Sequence, residues 1–78
     1  MAVSAYILVQ TEVGVASDVA ASAQKVEGVV FVDAVTGPYD VLVKVEADNM
    51  DDLGKKVVSD VQKIGGITRT LTCPVVHL

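Results

Sequence analysis

Residues 29–47 read V-V-F-V-D-A-V-T-G-P-Y-D-V-L-V-K-V-E-A: two valine-rich runs separated by the polar segment Thr36-Gly37-Pro38-Tyr39-Asp40. Glycine and proline set turn backbone angles at low cost, so the polar segment predicts a tight turn that folds residues 29–35 and Val41–Ala47 into a β-hairpin. A hairpin tip rarely needs an aromatic and an acid, and their presence here raises the chance of a binding corner. The alternative interpretation is that Tyr39 and Asp40 are ordinary turn residues.

Two more strands are predicted outside the hairpin. Residues 3–11 place apolar side chains at every second position, the period of a strand with two different faces. Residues 67–76 alternate threonines with Ile67, Arg69, Leu71 and Cys73 in the same way. These two segments predict the first and the last strand of the chain.

Helical spacing predicts an amphipathic helix in each of the two remaining gaps. Ser17 is a suitable cap for the first helix, and Gly28 is placed to end it. Asp48 or Asn49 is predicted to cap the second, which Gly65-Gly66 ends. Its apolar stripe comprises Met50, Leu53, Val57, Val61 and Ile64. A glycine inside a helix costs ~1 kcal/mol relative to alanine, and a close packing contact would explain Gly54.

The order β-α-β-β-α-β predicts an α+β, ferredoxin-like sandwich: a four-stranded antiparallel sheet in the order 4-1-3-2, with both helices on one face. Pro74 fits this order because proline is tolerated on an edge strand or at a strand end. The other face is expected to carry Tyr6, Leu8, Leu42, Lys44 and the threonine row. Such a partly apolar surface predicts a two-fold dimer with stacked sheets.

Composition limits the classes of function. A chain of 78 residues allows one domain, expected to span residues 1–78. The net charge of −4 argues against direct nucleic-acid binding. No run reaches the ~20 apolar residues of a membrane span, and the N-terminus lacks a secretory leader, so a cytoplasmic location is expected. The single cysteine, Cys73, excludes an internal disulfide and is expected to be a small buried hydrophobe.

Catalytic constellations are not predicted. Cys73 and His77 offer two potential metal ligands where a zinc site generally takes three or four, so neither a metal nor a cofactor is expected.

A small-molecule binding site is better supported, because Asp40 can accept from the ammonium group of an amino acid. Thr70, Thr72 and the backbone around Gly37 can meet the carboxylate, with Arg69 as a further candidate. For the threonines the alternative is simple β-propensity on a sheet face. Asp40 and the last strand are expected to lie far apart in one subunit, which favours a site between subunits.

The segments V-T-G-P-Y-D-V-L-V-K-V (residues 35–45) and G-G-I-T-R-T-L-T-C-P-V-V (residues 65–76) resemble the RAM domain, the ligand-binding and oligomerising half of the Lrp/AsnC feast/famine transcriptional regulators. The resemblance implies a ferredoxin-like fold, dimers formed through the sheets, and closed rings of dimers, often octamers. It also implies an effector, commonly an amino acid, bound between dimers. Carried onto this chain, the contacting residues would be Gly37, Pro38, Tyr39, Asp40, Thr70 and Thr72.

Full regulators of this family begin with a helix-turn-helix domain, whereas the first predicted strand here starts at Val3. The resemblance is therefore to a stand-alone RAM domain that is not an enzyme. It would act in transcriptional regulation through other proteins, for example a full-length Lrp/AsnC regulator in a mixed assembly. Three alternatives stay open: a purely structural interaction module, a small dimeric α+β barrel enzyme, and an ACT-type amino-acid-binding domain.

Overall fold

The computed structural model describes residues 2–78, and its elements follow the predicted order. The strands are β1 (Val3–Thr11), β2 (Val29–Ala34), β3 (Val41–Ala47) and β4 (Ile67–Pro74). The first helix, α1, covers Ala16–Ala23. The second helical segment, α2, covers residues 50–62 and is α-helical at Met50–Asp52 and Ser59–Gln62 but π-helical at Leu53–Val58. β1 and β3 have their predicted bounds, whereas β2 and β4 end slightly earlier than predicted.

The four strands form one antiparallel sheet in the order β2-β3-β1-β4, which confirms the predicted order read from the other edge. The two central strands, β1 and β3, pair from Val3↔Ala47 to Val9↔Val41. β4 is an edge strand, and its last residue, Pro74, lies opposite Ala5. The missing N–H of Pro74 is tolerated there for the reason expected from the sequence.

The core lies between the sheet and the helices. Every second residue is fully buried from Ala5 to Val9 in β1 and from Val41 to Val45 in β3, as period-two alternation requires. The two helices complete the core from their apolar faces. The buried hydrophobic residues are Ala5, Ile7, Val9, Val19, Ala23, Val41, Val43, Val45, Leu53, Val57 and Val61.

The predicted cap of α1 is wrong. The helix begins at Ala16 with Val15 in the N-cap position and no side-chain cap, so Ser17 lies inside the first turn and is exposed. Packing decides this start, because Val15 lies against Gly66, where an added Cβ would be 3.0 Å from Val15 Cγ2. The Val15 amide also closes the preceding loop by donating to the Glu12 carbonyl at 3.3 Å.

The second helix confirms one of the two predicted caps. The Asn49 side chain accepts from the Asp52 amide at 2.8 Å. The buried residues of α2 are spaced four apart: Leu53, Val57 and Val61. In an α-helix, residues four apart lie progressively further around the helix axis. The wider turns of the π-helical part offset this rotation, so the three side chains stay on the face that packs on the sheet. The expected close contact at Gly54 is wrong, because nothing lies within 4 Å of a Cβ built there.

The sheet face opposite the helices, called here the uncovered face, carries Tyr6, Leu8, Leu42 and Lys44 as predicted. The threonine row is not there, which corrects the prediction. Cross-strand partners share a face, and Thr70 and Thr72 lie opposite the core residues Val9 and Ile7. The uncovered face instead receives Leu71 opposite Leu8, and Cys73 opposite Tyr6.

The uncovered face is therefore more apolar than the sequence predicted. Cys73 is exposed on it, so its prediction as a buried residue is wrong. Phe31 joins from β2, with its ring 6.4 Å from that of Tyr6 in an edge-to-face arrangement. The Lys44 Nζ stands 5.4 Å from the centre of the Tyr6 ring, within cation–π range.

No helix in residues 2–78 has the length and apolar character needed to cross a bilayer.

Candidate functional site

The hairpin turn is fixed against the end of β1. The Asp40 amide donates to the Val9 carbonyl at 2.8 Å, and the Val35 amide donates to the Asp40 carbonyl at 2.9 Å. The backbone of Asp40 is thus bonded on both sides at the point where β3 begins. The turn is a defined corner of the sheet, because it is attached to a central strand as well as to its own hairpin.

The Asp40 side chain makes a second connection to β1. Its Oδ2 accepts from the Thr11 amide at 2.8 Å and from the Thr11 hydroxyl at 3.3 Å. The preceding residue, Gln10, donates from Nε2 to the Pro38 carbonyl at 2.7 Å. Two consecutive residues at the end of β1 therefore hold two residues of the turn.

The remaining turn residues are accessible. Gly37 and Pro38 are exposed, and Tyr39 is half-buried. Gly37 has φ of +130°, a conformation that L side chains rarely adopt, and nothing lies within 4 Å of its Cβ position. Backbone groups at this tip can thus be approached from solvent.

Thr70 lies nearer to the turn than expected. It pairs with Val9, whose carbonyl accepts from the Asp40 amide on the opposite side of β1. With one strand between them, the turn and Thr70 are about 10 Å apart, the width of two strand spacings. The sheet order therefore brings these predicted residues to the same end of one subunit.

The Thr70 hydroxyl contacts the helix layer. Thr70 Oγ1 accepts from Gln62 Nε2, on α2, at 3.2 Å. Thr72 is half-buried and two cross-strand pairs further from the turn than Thr70, opposite Ile7. Arg69 is exposed at the same end of the sheet as the turn and lies opposite Gln10 on the uncovered face. Within one subunit the two threonines and Arg69 thus belong to opposite faces of β4.

Sequence reasoning did not identify Gln10 and Thr11 as partners of the turn. Both stand at the end of an alternating strand, where they have the appearance of ordinary solvent-facing residues. The predicted sheet order was sufficient to identify these two residues as neighbours of the turn. Pairing β1 antiparallel to β3 places the end of β1 beside the start of β3.

A cleft of about 540 Å³ lies at the other end of β3 from the turn. Gly28, Ala47 and Val57 contribute its less polar lining. Its charged lining residues are Glu27, Glu46, Asp48, Asp52, Asp60, Lys55 and Lys56. Ion pairs join Lys56 to Asp52 at 3.7 Å and Lys63 to Asp60 at 3.8 Å, and exposed pairs of this kind contribute about 0–1 kcal/mol each. None of the six predicted site residues lines this cleft.

No set of metal ligands is assembled in the part of the chain that the structure describes. No three residues among His, Cys, Asp and Glu there are grouped so as to hold a metal ion. Cys73 lies on the exposed edge strand and His77 in the segment after β4.

Comparison with known proteins identifies a family. Residues 4–77 match the family model described as the Lrp/AsnC ligand binding domain. A protein of Pyrococcus furiosus described as an uncharacterised HTH-type transcriptional regulator is 38% identical over 55 residues, which cover 70% of this chain and 37% of that protein. A Pyrococcus horikoshii protein with the same description is 34% identical over 55 residues, with the same shares. The aligned part of this chain thus spans little more than a third of the length of these curated relatives.

Solved structures share the whole fold. A hypothetical protein of Pyrococcus horikoshii is 30% identical with a TM-score of 0.86, over 97% of this chain and 92% of that one. Escherichia coli AsnC is 22% identical with a TM-score of 0.87, over 97% and 52% of the two chains. A Neisseria meningitidis transcriptional regulator in complex with L-Met is 23% identical with a TM-score of 0.81, over 96% and 50%. The last two likenesses, at such low identity, show the fold alone.

Proposed function

Because this chain belongs to the family of Lrp/AsnC ligand-binding domains, we propose that it binds a small zwitterionic effector, most simply an amino acid, as the sensing and assembly module of a transcriptional regulator. The family and the relatives are transcriptional regulators, not enzymes. Recognition of a ligand, rather than catalysis, is therefore the chemistry to be explained.

The observation that carries the proposal is the fixed turn at residues 36–40. Asp40 is held by two backbone hydrogen bonds and by Thr11, so its carboxylate has a defined position before any ligand arrives. A preorganised carboxylate loses little entropy on pairing with an ammonium group. The accessible backbone amide of Gly37 can donate a hydrogen bond to the carboxylate of the ligand. The proposed contacts are Gly37, Pro38, Tyr39, Asp40, Thr70 and Thr72.

Amino acids are the ligand class to test first. The Neisseria meningitidis regulator with this fold was solved in complex with L-Met. An α-amino acid presents an ammonium and a carboxylate on one carbon, which matches an acidic group beside backbone and hydroxyl donors. We extend this ligand class to the present chain as part of the proposal.

The proposed assembly is a homodimer formed through the uncovered face. This surface holds Tyr6, Phe31, Leu8, Leu42 and Leu71, and the last of these is 44% exposed. A contiguous apolar patch on one sheet is stabilised when a second sheet packs on it. Further association of dimers, as far as an octamer, would set the turn of one dimer against its neighbour and complete the site between them.

The partner through which the domain acts is proposed to be a full-length Lrp/AsnC regulator. A net charge of −4 opposes direct contact with a phosphate backbone, so the regulator would provide the DNA contacts. We place the protein in the cytoplasm, where transcription takes place in the bacterial and archaeal relatives.

Calorimetric titration with each of the twenty amino acids tests the proposal, at protein concentrations that preserve the oligomer. At least one should release or absorb heat with a saturable isotherm, and Asp40→Ala should weaken it. No heat from any amino acid, together with no change in the melting temperature of the wild type in their presence, would remove this ligand class.

A purely structural interaction module is the second candidate. The apolar uncovered face favours it, because that surface needs a protein partner whether or not a small molecule binds. Coprecipitation with a full-length regulator that is equally strong with and without amino acids would support this candidate over sensing.

A further inference from the structure

Of the four polar atoms of Asp40, three are already bonded within the chain. The amide N donates to Val9, the carbonyl O accepts from Val35, and Oδ2 accepts from both donors of Thr11. Oδ1 has no hydrogen-bond donor among residues 2–78. One carboxylate oxygen is thus committed to β1 while the other is left for a donor from outside the subunit.

We propose that Thr11 is a positioning residue of the effector site: its amide and hydroxyl hold Asp40 Oδ2, so that Oδ1 meets the ammonium group of the ligand. This inference rests on the proposed function, since it assigns an atom and a supporting residue to that site. It adds Thr11, and the oxygen that binds, to the residues of the turn.

The geometry explains why a support is needed. An aspartate side chain at a turn can rotate about two torsions, and rotation spreads its charge over several directions. Two donors from Thr11 restrict this freedom, because β1 is itself held in the sheet, paired with β3 as far as Val9 and with β4 as far as Thr11. The orientation of the free oxygen is therefore set before binding, which lowers the entropic cost of forming a charged contact.

Gln10 supports the same arrangement from the other side of the turn. Its Nε2 donates to the Pro38 carbonyl at 2.7 Å, two residues before Asp40. This bond fixes the backbone of the turn rather than the carboxylate. Gln10→Ala should therefore loosen the tip without changing which oxygen of Asp40 is free.

The first arm of the test needs no ligand and measures hydrogen exchange at the Thr11 amide. Asp40→Asn keeps a side-chain carbonyl that can accept from this amide, so protection should be retained. Asp40→Ala removes the acceptor, and exchange should accelerate about tenfold or more. Equal exchange in wild type and Asp40→Ala would overturn the claim that Thr11 holds the carboxylate.

The second arm uses L-methionine and its des-amino analogue, 4-(methylthio)butanoate, with the other nineteen amino acids titrated in parallel. Asp40→Asn should weaken binding of L-methionine about tenfold or more because the charged partner of the ammonium is gone, and should leave the analogue unaffected. Thr11→Val should weaken L-methionine about threefold to tenfold, whereas Thr11→Ser should retain wild-type affinity.

The possible results distinguish a failure of the positioning role of Thr11 from a failure of the proposed amino-acid binding. An unchanged affinity in Thr11→Val, or an equal loss of both probes in Asp40→Asn, overturns the inference while amino-acid binding stands. Should none of the twenty amino acids bind, the function and the ammonium contact fail together, and the Thr11 exchange rate still decides whether Thr11 orients Asp40. A melting temperature for Thr11→Val close to that of wild type excludes general unfolding as the cause.

Discussion

At the residue scale, Gly28 is the glycine with the least room for a side chain. Its φ is +94°, and an added Cβ would lie 2.6 Å from Val57 Cγ2 and 3.0 Å from the Glu46 carbonyl oxygen. Gly28→Ala combines left-handed strain with overpacking, so we expect the free energy of unfolding to fall by about 2–4 kcal/mol. Chemical denaturation measures this loss directly.

Gly14→Ala is the matched control for that substitution. Gly14 has a similar φ of +85°, but nothing lies within 4 Å of its Cβ position. It should therefore show the conformational cost alone, about 1–2 kcal/mol. If both variants lose the same stability, the contact between Gly28 and Val57 contributes nothing.

At the element scale, α2 depends on its first turn. Asn49 accepts from the Asp52 amide at 2.8 Å, so Asn49→Ala should lower the free energy of unfolding by about 1 kcal/mol. Asn49→Ser retains an acceptor and should stay close to wild type in the same thermal melt. A full loss in the serine variant would mean that the side chain stabilises something other than the helix end.

The π-helical part of α2 permits a test with the opposite sign. Gly54 is exposed and has open space around its Cβ position. Gly54→Ala should raise the free energy of unfolding by up to ~1 kcal/mol, because alanine loses less backbone entropy in a helix. A decrease in melting temperature would show that the π-helical turns require glycine at this position.

Elements were predictable from the sequence where one periodicity dominated. The alternation of β1 and β3 gave their bounds and core residues, because both central strands have one face under the helices. The facing of β4 was predicted wrongly because β4 is an edge strand at the margin of the helix layer, where Thr70 and Thr72 are only half-buried. The alternation within β4 does not by itself show which of its two faces lies under the helices. Thr11 was missed because its role depends on a neighbour 29 positions away.

At the scale of the whole molecule, the uncovered face should decide the oligomeric state. Leu71→Glu adds a charge to the uncovered face, on the edge strand β4 and opposite Leu8, and a buried unpaired carboxylate is strongly unfavourable in an interface. We expect the wild type to sediment as a dimer or larger species at micromolar concentration. Leu71→Glu should sediment as a monomer.

Val13→Glu is the control for the charge itself. Val13 is fully exposed in the loop between β1 and α1 and belongs to no strand of the sheet. This variant should keep the sedimentation coefficient of the wild type. A monomeric wild type, or an unchanged Leu71→Glu, would contradict dimerisation through the sheet.

The two halves of the chain, β1-α1-β2 and β3-α2-β4, stabilise each other through equivalent contacts. The Glu46 amide donates to the Gly28 carbonyl, the Glu12 amide donates to the Gly66 carbonyl, and each bond is 2.8 Å long. Each of these glycines packs on a valine of the opposite half, Val57 for Gly28 and Val15 for Gly66. Neither half can therefore complete its own core, and the chain should unfold in a single cooperative step. A backbone cut at the accessible tip near Gly37 would yield two fragments that are unstructured apart and fold together when mixed.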